Sequence, residues 1–360
     1  MVSPEEIIHK IHSLQSVEHI VYNTGLFPSQ RLHPLTRYSK EDNNVFFSAL
    51  VAFTLQQLDR IIPADLVVKT RSIREAVISN YSKYRHYADP DTYNFWENKR
   101  SGHFPNGWIL HRIPMMALPA DTDDTSIIYL TMPNSGNLDH LKNKLESHYP
   151  NNSPISPLTP KAYKDLRAYP TFLGEKILRE MDACVICNVL YFVCQYALNW
   201  TQVDNDSVTF LTRVLQRKDY EKSPFGVSPN YGSSSVILYH IARLVGTFDH
   251  GIFDSLKVLL RESLTMELAK DQSFMECLLT KTSLLRMGIK TPPLNIPENL
   301  DLHFHNYYFF QAGMLTGFQK SFLTPLAQRS FFHLKFKCQA YYYTLLLEYL
   351  LLADKDYSKS

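Results

Sequence analysis

Apolar residues recur at helical spacing along most of the chain, which predicts a protein built from α-helices. The first predicted helix begins at Ser3 and Pro4, a capping residue followed by proline, with Glu5 and Glu6 in its first turn. Strand-like alternation is scarce, so the expected fold class is all-α. Further helices are predicted over residues 40–61, 63–86, 121–132, 137–148, 160–167, 174–198, 206–217, 234–247, 251–269, 273–288 and 328–354.

Helices of this length, joined mostly by short polar turns, fit a bundle, a superhelical array or a closed double ring. The sequence has no repeat of fixed period, which disfavours the superhelical array. We expect one domain over residues 1–360. The Pro/Ser-rich stretch near 149–160 is a candidate internal linker.

Composition narrows the classes of function. The formal net charge is only +2 and no long basic run is present, which argues against a nucleic-acid partner. Aromatic residues make up 13% of the chain, enough to line a cavity as well as fill a core. Five cysteines, three of them in the run 184–194, favour reduced thiols in a cytoplasmic protein. The N-terminus does not resemble a secretion signal, and no apolar run reaches the length of about 18 residues expected of a membrane span.

The stretch PADTDDTSIIYL (119–130) places Asp121, Asp123 and Asp124 directly before an apolar run. One interpretation is a helix N-terminus, with Asp121 as the cap and the other two acids opposite the helix dipole. A chemical interpretation is that the crowded carboxyls cannot all ionise, so that one of them keeps its proton. Such an acid beside aromatic rings can protonate a carbon–carbon double bond, and the ring faces then stabilise the cation while water is excluded.

The sequence DTDDT (121–125) resembles the Asp-x-Asp-Asp-Thr motif of class II terpene cyclases and squalene–hopene cyclases, which fold as (α/α) toroids. The resemblance implies an (α/α)6-like toroid with a single barrel. It also implies an isomerase of isoprenoid biosynthesis that cyclises a linear farnesyl or geranylgeranyl diphosphate by protonation. Asp123 would be the general acid, Asp121 and Asp124 would set its pKa and geometry, and Thr125 would support them.

Two features depart from that family's pattern. The chain has only Trp96, Trp108 and Trp200, without the Gln- and Trp-containing repeats common in the family. It is also about half as long as members with two barrels, so a single barrel would have to close its own cavity, use a second subunit or be inactive.

A prenyl diphosphate needs cations at its head and ring faces along its chain. Mg²⁺ is the expected helper for the diphosphate, and no protein metal site is predicted. The candidate diphosphate ligands are Lys99, Arg100 and Arg112, with Arg243 and Arg286 behind them. The candidate cavity aromatics are Trp96, Phe104, Trp108, Tyr308, Phe309 and Phe310.

Other interpretations stay open. A carbohydrate-active toroid would use a carboxyl acid with a second carboxylate across an open groove. A non-catalytic helical scaffold would use the acids only as a cap. Cys184 and Cys187 lack further zinc ligands and predict structural thiols, and His303 and His305 are interpreted as structural. Homo-oligomerisation and peripheral membrane contact are left open. Three polar residues of one buried helix predict either a satisfied core network, which we favour, or a cavity lining: Asp182, Asn188 and Gln195.

Overall fold

Helices make up most of the computed structural model, which describes residues 2–33, 35–36, 38–97, 119–132, 136–147, 155–173, 178–314 and 324–357. The helices are α1 Pro4–Ser13, α2 Phe46–Leu58, α3 Val67–Ile78, α4 Thr122–Thr131, α5 Leu138–Ser147, α6 Ala183–Gln195, α7 Gln202–Arg217, α8 Asp219–Lys222, α9 Pro224–Val227, α10 Ser234–Val245, α11 Asp254–Leu268, α12 Phe274–Arg286, α13 Leu300–His305, α14 Thr324–Ala327 and α15 Gln339–Tyr357. The strands are β1 Ser29–His33, β2 Tyr38–Asp42, β3 Arg85–His86, β4 Asp89–Tyr93, β5 Ala120–Asp121, β6 Phe172–Leu173, β7 Phe310–Gly313 and β8 His333–Lys337.

The expectation of an all-α chain therefore needs correction, because two small antiparallel sheets are present. One sheet has the strand order β2-β1-β8-β7, and the other has the order β3-β4-β5-β6. Residues 40–42 and 333–337, predicted to be helical, are strands. In β8 the buried Leu334 and Phe336 alternate with the half-buried Lys335 and Lys337, a period of two rather than a helical spacing.

Several predicted helices are confirmed where their local signals are strong. At α1 the side chain of Ser3 accepts from the backbone of Glu6, and the Glu6 side chain accepts from the backbone of Ser3, which forms a capping box. The predicted helices 121–132, 234–247, 251–269 and 273–288 match α4, α10, α11 and α12 within a few residues. Residues 160–167 contain only a short 3-10 turn, Lys161–Tyr163.

Six helices follow one another through space and return to the first. Helix α2 packs against α4, α4 against α6, α6 against α10, α10 against α12, α12 against α15, and α15 against α2. Along α6 every residue from Ala183 to Val193 is buried, and α10 is buried from Ser235 to Val245. Burial around the whole helix is expected of helices enclosed by others. In contrast, α1 buries only the face formed by Ile7, Ile8 and Ile11, and it packs on α15 and α3.

A single cluster of buried apolar side chains extends from Ile7 in α1 to Leu351 in α15. The candidate linker near 149–160 is described only from residue 155 onward, and Ser156 and Leu158 are buried there. No helix in the described part of the chain is long and apolar enough to cross a lipid bilayer.

Candidate active site

Asp121 ends strand β5 and caps helix α4. Its carboxyl oxygen Oδ1 accepts hydrogen bonds from the backbone N–H of Asp123 at 2.8 Å and of Asp124 at 3.2 Å. Asp121 also pairs with Tyr93 of β4 and Phe172 of β6 in the small sheet. The predicted cap is therefore confirmed, and the sheet fixes the point at which the chain turns into the helix.

Asp123 is buried, and both of its carboxyl oxygens have a partner. The side-chain amide of Asn188 donates to Oδ1 at 2.5 Å, and the hydroxyl of Tyr231 donates to Oδ2. Burial raises the pKa of Asp123 above its ordinary value, while these two hydrogen bonds and the charge of Arg243 oppose the rise. The residue predicted to be the acid is thus held by donors from two other segments.

Arg243 is the buried cation of this site. Its guanidinium donates to Oδ1 of Asn188, so the Asn188 amide links it to Asp123. The guanidinium also lies over the rings of Phe53 and Tyr239, 5.0 and 5.5 Å from their centroids. Ring faces stabilise a cation that has been removed from water.

Asp124 is 1% exposed, and its Oδ1 has no hydrogen-bond partner among the described residues. Burial raises its pKa well above the ordinary value, and the charges of Asp121 and Asp123 add to that effect. Burial and the charge of Asp123 also raise the pKa of Asp121 to about 8. With a pKa of about 8, Asp121 is largely protonated at neutral pH.

A second capped helix adds two further acids. Asp182 caps α6 and accepts from the backbone N–H of Cys184 at 2.9 Å, the Ser228 hydroxyl at 2.5 Å and the backbone N–H of Asn230 at 2.9 Å. Burial, with a contribution from Asp123, raises the pKa of Asp182 to about 6. Burial and the charge of Asp182 raise the pKa of Glu180 to about 8.

Some of the predicted cavity aromatics lie close to Asp123, because they contact its partner Tyr231, and others lie further away. Tyr231 contacts Phe309 and Phe310, with ring centroids 5.8 and 5.6 Å apart, and Phe309 is fully buried. Trp96 is one ring further away, in edge contact with Phe95, which stacks on Phe310 at 5.4 Å. Tyr308 is half-buried. The acid and the ring cluster therefore meet at Tyr231.

Trp96 and Thr125, two of the predicted site residues, each make a specific hydrogen bond. The indole N–H of Trp96 donates to both carboxyl oxygens of Asp42, at 3.0 and 3.1 Å. The buried hydroxyl of Thr125 accepts from the backbone N–H of Tyr93 at 3.0 Å and ties α4 to β4. Thr125 therefore positions the helix that carries the acids, and the supporting role implied for it in the chemistry stays a prediction.

Two groups of predicted site residues lie outside the described residues. They are the candidate diphosphate ligands Lys99, Arg100 and Arg112 and the candidate cavity aromatics Phe104 and Trp108.

Arg243 and Arg286, predicted to lie behind the diphosphate ligands, bind buried partners in the structure. Arg243 donates to Asn188, while Arg286 pairs with Glu348 and donates to Gln57 at 2.8 Å. Their place behind the diphosphate stays a prediction, and in the structure both arginines compensate buried polar groups. The reason is that a buried carboxylate or amide needs a donor of this kind.

Among the described residues, no group of three His, Cys, Asp or Glu is arranged to hold a metal ion. Carboxyls that retain protons are also poor ligands for Mg²⁺, so the acid cluster does not fit a magnesium site. Mg²⁺ stays a prediction for the diphosphate itself, whose own oxygens would carry it.

The cysteine pair at 184 and 187 is buried, and the histidine pair at 303 and 305 is exposed. Burial raises the pKa of Cys184 and Cys187, which keeps both thiols protonated, as structural cysteines require. His303 and His305 are exposed at the end of α13.

Sequence reasoning missed Tyr231 and Glu180, and it favoured a core network for Asn188. The sequence MDACV at 181–185 does repeat the pattern of an acid directly before an apolar helix, which is the signal that relates Asp182 to Asp121. Nothing local marks Tyr231, because its partner Asp123 is 108 positions away. Comparison of the chain with family models, curated proteins and solved structures gives no match.

Proposed function

We propose that this chain is an (α/α)6-like toroid with a single barrel that acts as a class II-type terpene cyclase. The toroid is supported by the six helices α2, α4, α6, α10, α12 and α15, whose contacts return to the first member. The helices α1, α3, α7 and α11 alternate with them along the chain, as the outer layer of a double ring would.

The observation that carries the function is the position of Asp123 between two donors and a cluster of rings. The reaction begins when the carboxyl proton of Asp123 passes to the terminal alkene of a linear prenyl diphosphate. The electron pair of that double bond forms the new C–H bond and leaves a tertiary cation. Internal double bonds then attack this cation in turn, closing the rings, and the diphosphate is retained.

The residues around Asp123 favour this step because they stabilise its product. Once the proton has left, Asn188 and Tyr231 donate to the two carboxylate oxygens, and Arg243 supplies a positive charge behind Asn188. Donors that are already in place cost no reorganisation when the charge develops. Asp123 is 4% exposed, and Phe309 is 0% exposed, so water is kept from the cation.

The proposed partner is a prenyl diphosphate in the cytoplasm, with Mg²⁺ on its phosphate oxygens. The test is incubation of the purified protein with farnesyl or geranylgeranyl diphosphate and Mg²⁺, followed by dephosphorylation and mass spectrometry. The native protein is expected to give cyclic alcohols, and Asp123→Asn is expected to lose them because the amide has no acidic proton to transfer. Asp254→Asn, at the exposed start of α11, is the matched control and should behave as the native protein.

A non-catalytic scaffold is the second candidate, and the two aspartate caps favour it. Asp121 and Asp182 each accept two backbone N–H bonds at the start of a buried helix, which is a structural role in itself. This candidate would be supported if the folded native protein gave no product while Asp123→Asn lowered its stability. The carbohydrate-active alternative has less support, because Asp123, Asp124 and Asp182 are buried rather than placed along an open groove.

A further inference from the structure

Helix α10 carries a buried histidine whose ring has one hydrogen bond and one unused nitrogen. His240 is 0% exposed, and its Nδ1 lies 2.8 Å from the carbonyl oxygen of Val236, one turn earlier. A carbonyl oxygen only accepts, so Nδ1 carries the hydrogen and donates. The neutral ring then presents a lone pair at Nε2, which has no partner among the described residues.

The surroundings of His240 favour the neutral form of its imidazole ring. Burial lowers the pKa of His240 well below its ordinary value, and the nearby charge of Arg243 lowers it further. A neutral imidazole with an available lone pair is a base that can accept a proton.

The ring lies in the same aromatic cluster as the proposed acid. The centroid of His240 is 4.8 Å from that of Tyr231, whose hydroxyl is bonded to Asp123. It is 5.7 Å from Phe309 on another side. The base and the acid are therefore separated by the ring of Tyr231.

A buried acceptor without a partner lowers the stability of the folded protein. An apolar ring would fill the same space without that cost, so packing alone gives no reason for histidine at this position. Buried groups of this kind call for a specific explanation.

We propose that His240 is the base that ends the cyclisation, with Nε2 taking a proton from a carbon next to the final cation. This inference rests on the proposed function. The C–H electron pair forms the product double bond, and the imidazole becomes an imidazolium. The imidazolium then returns its proton through solvent to the Asp123 carboxylate when the product leaves. One proton enters the substrate and one leaves, so the overall reaction is an isomerisation.

The test compares the native protein with His240→Phe, an apolar ring of similar size, in the assay with prenyl diphosphates. Removal of a general base is expected to lower formation of the native product about 100-fold or more. Deprotonation at other carbons, or capture of the cation by water, would replace that product with double-bond isomers or a diol. His303→Phe, on an exposed histidine of α13, is the matched control and should leave the products unchanged.

Stability supplies a readout that activity does not. If Nε2 has no structural partner, His240→Phe should unfold at the same denaturant concentration as the native protein or at a higher one. Where phenylalanine fails to fit, His240→Leu answers the same question. Loss of the native product in a variant of full stability supports the base.

Two outcomes overturn the inference, and they are distinguishable. If the native protein forms cyclic products and the folded His240 variants form the same products at the same rate, only the base is misassigned. If the native protein forms no cyclic product, the proposed function fails and the base fails with it.

Discussion

Asn188 and Asp123 are 65 positions apart in the chain, yet the amide of one donates to the carboxyl of the other at 2.5 Å. The same amide accepts from Arg243 through its oxygen, so it occupies the space between a buried acid and a buried cation. An asparagine side chain suits this place because it has a donor at one atom and an acceptor at the other. Asp123 of the acid motif is thereby connected through Asn188 to the buried cation Arg243 on α10.

The first prediction concerns this amide. Asn188→Leu keeps the volume but leaves Oδ1 of Asp123 and the guanidinium of Arg243 without their shared partner. Leaving buried charged groups unpaired is costly, so we expect the free energy of unfolding to fall by about 3 kcal/mol. Urea unfolding measures it. Gln195→Leu, at an exposed position of the same helix, should change it by less than about 0.5 kcal/mol. Equal effects of the two substitutions would show that the amide bridge contributes nothing specific.

The second prediction separates the cap from the charge at Asp121. Asp121→Ala removes the acceptor for two backbone N–H groups of α4 and should lower stability by about 1 kcal/mol. Asp121→Asn keeps an oxygen acceptor, and at pH 7 it replaces a carboxyl that is largely protonated, since the pKa of Asp121 is raised to about 8. We therefore expect Asp121→Asn to retain native stability in thermal unfolding at pH 7. A large loss in Asp121→Asn would mean that an ionised carboxylate, and not the cap, is required.

The third prediction concerns the hydroxyl that bonds Oδ2 of Asp123. Tyr231→Phe keeps the ring in its cluster and removes only this donor. It should lower the free energy of unfolding by about 1–2 kcal/mol, because the buried Asp123 loses one of its two partners. If Asp123 is the acid, cyclisation should also slow, since the developing carboxylate is less stabilised.

The control for that variant is Tyr129→Phe in α4, whose ring is half-buried and whose hydroxyl makes no hydrogen bond in the described structure. Its stability should stay within about 0.5 kcal/mol of native. A Tyr231→Phe protein as stable and as active as this control would contradict the role of the hydroxyl.

The fourth prediction is a pH dependence of stability that opposes the usual behaviour of acids in folded proteins. The pKa of Glu180 is raised from 4.5 to about 8 in the folded protein, mainly by burial. Between these two values the folded state holds a proton that the unfolded state has lost. Stability should therefore fall as the pH rises through this window, by about 1.4 kcal/mol per pH unit for each such group. Asp182, raised to about 6, adds to the fall between pH 4 and 6.

Unfolding titrations between pH 4 and 8 test this prediction, and Glu180→Gln should reduce the slope by about 1.4 kcal/mol per pH unit because the amide stays neutral throughout. The slope that remains comes from Asp121, whose pKa is also raised to about 8, and from Asp182. Glu262→Gln, on the exposed side of α11, should leave the slope as it is. A native protein whose stability rises across this range would show that Glu180 is ionised and paired in the folded state.

Elements with short-range signals were predictable. The capping box of α1 joins Ser3 to Glu6, and the Asp121 cap joins neighbouring residues, so the sequence contains both partners of each interaction within one turn. The strand β8 was not predictable in this way. Of its two partners, β1 begins about 300 positions earlier and β7 is a strand of only four residues. The alternation of Leu334 and Phe336 with two lysines covers only five residues. So short a segment beside a long apolar helix has the pattern of the start of that helix.

In the candidate site, too, some features follow from the sequence and others only from the tertiary structure. The crowding of Asp121, Asp123 and Asp124 comes from the sequence, and so does the expectation that these acids repel one another. The burial that raises their pKa values most comes from the tertiary structure. The placing of Asn188, Tyr231, Arg243 and His240 around Asp123 was decided only by the tertiary structure. These residues lie on α6, on the segment before α10 and on α10 itself, and each becomes a partner of the acid, directly or through another residue, only after the helices have packed. Local repulsion and capping act between residues within one turn of the chain, so both partners are close in the sequence. The identity of a buried partner depends instead on which helices pack together.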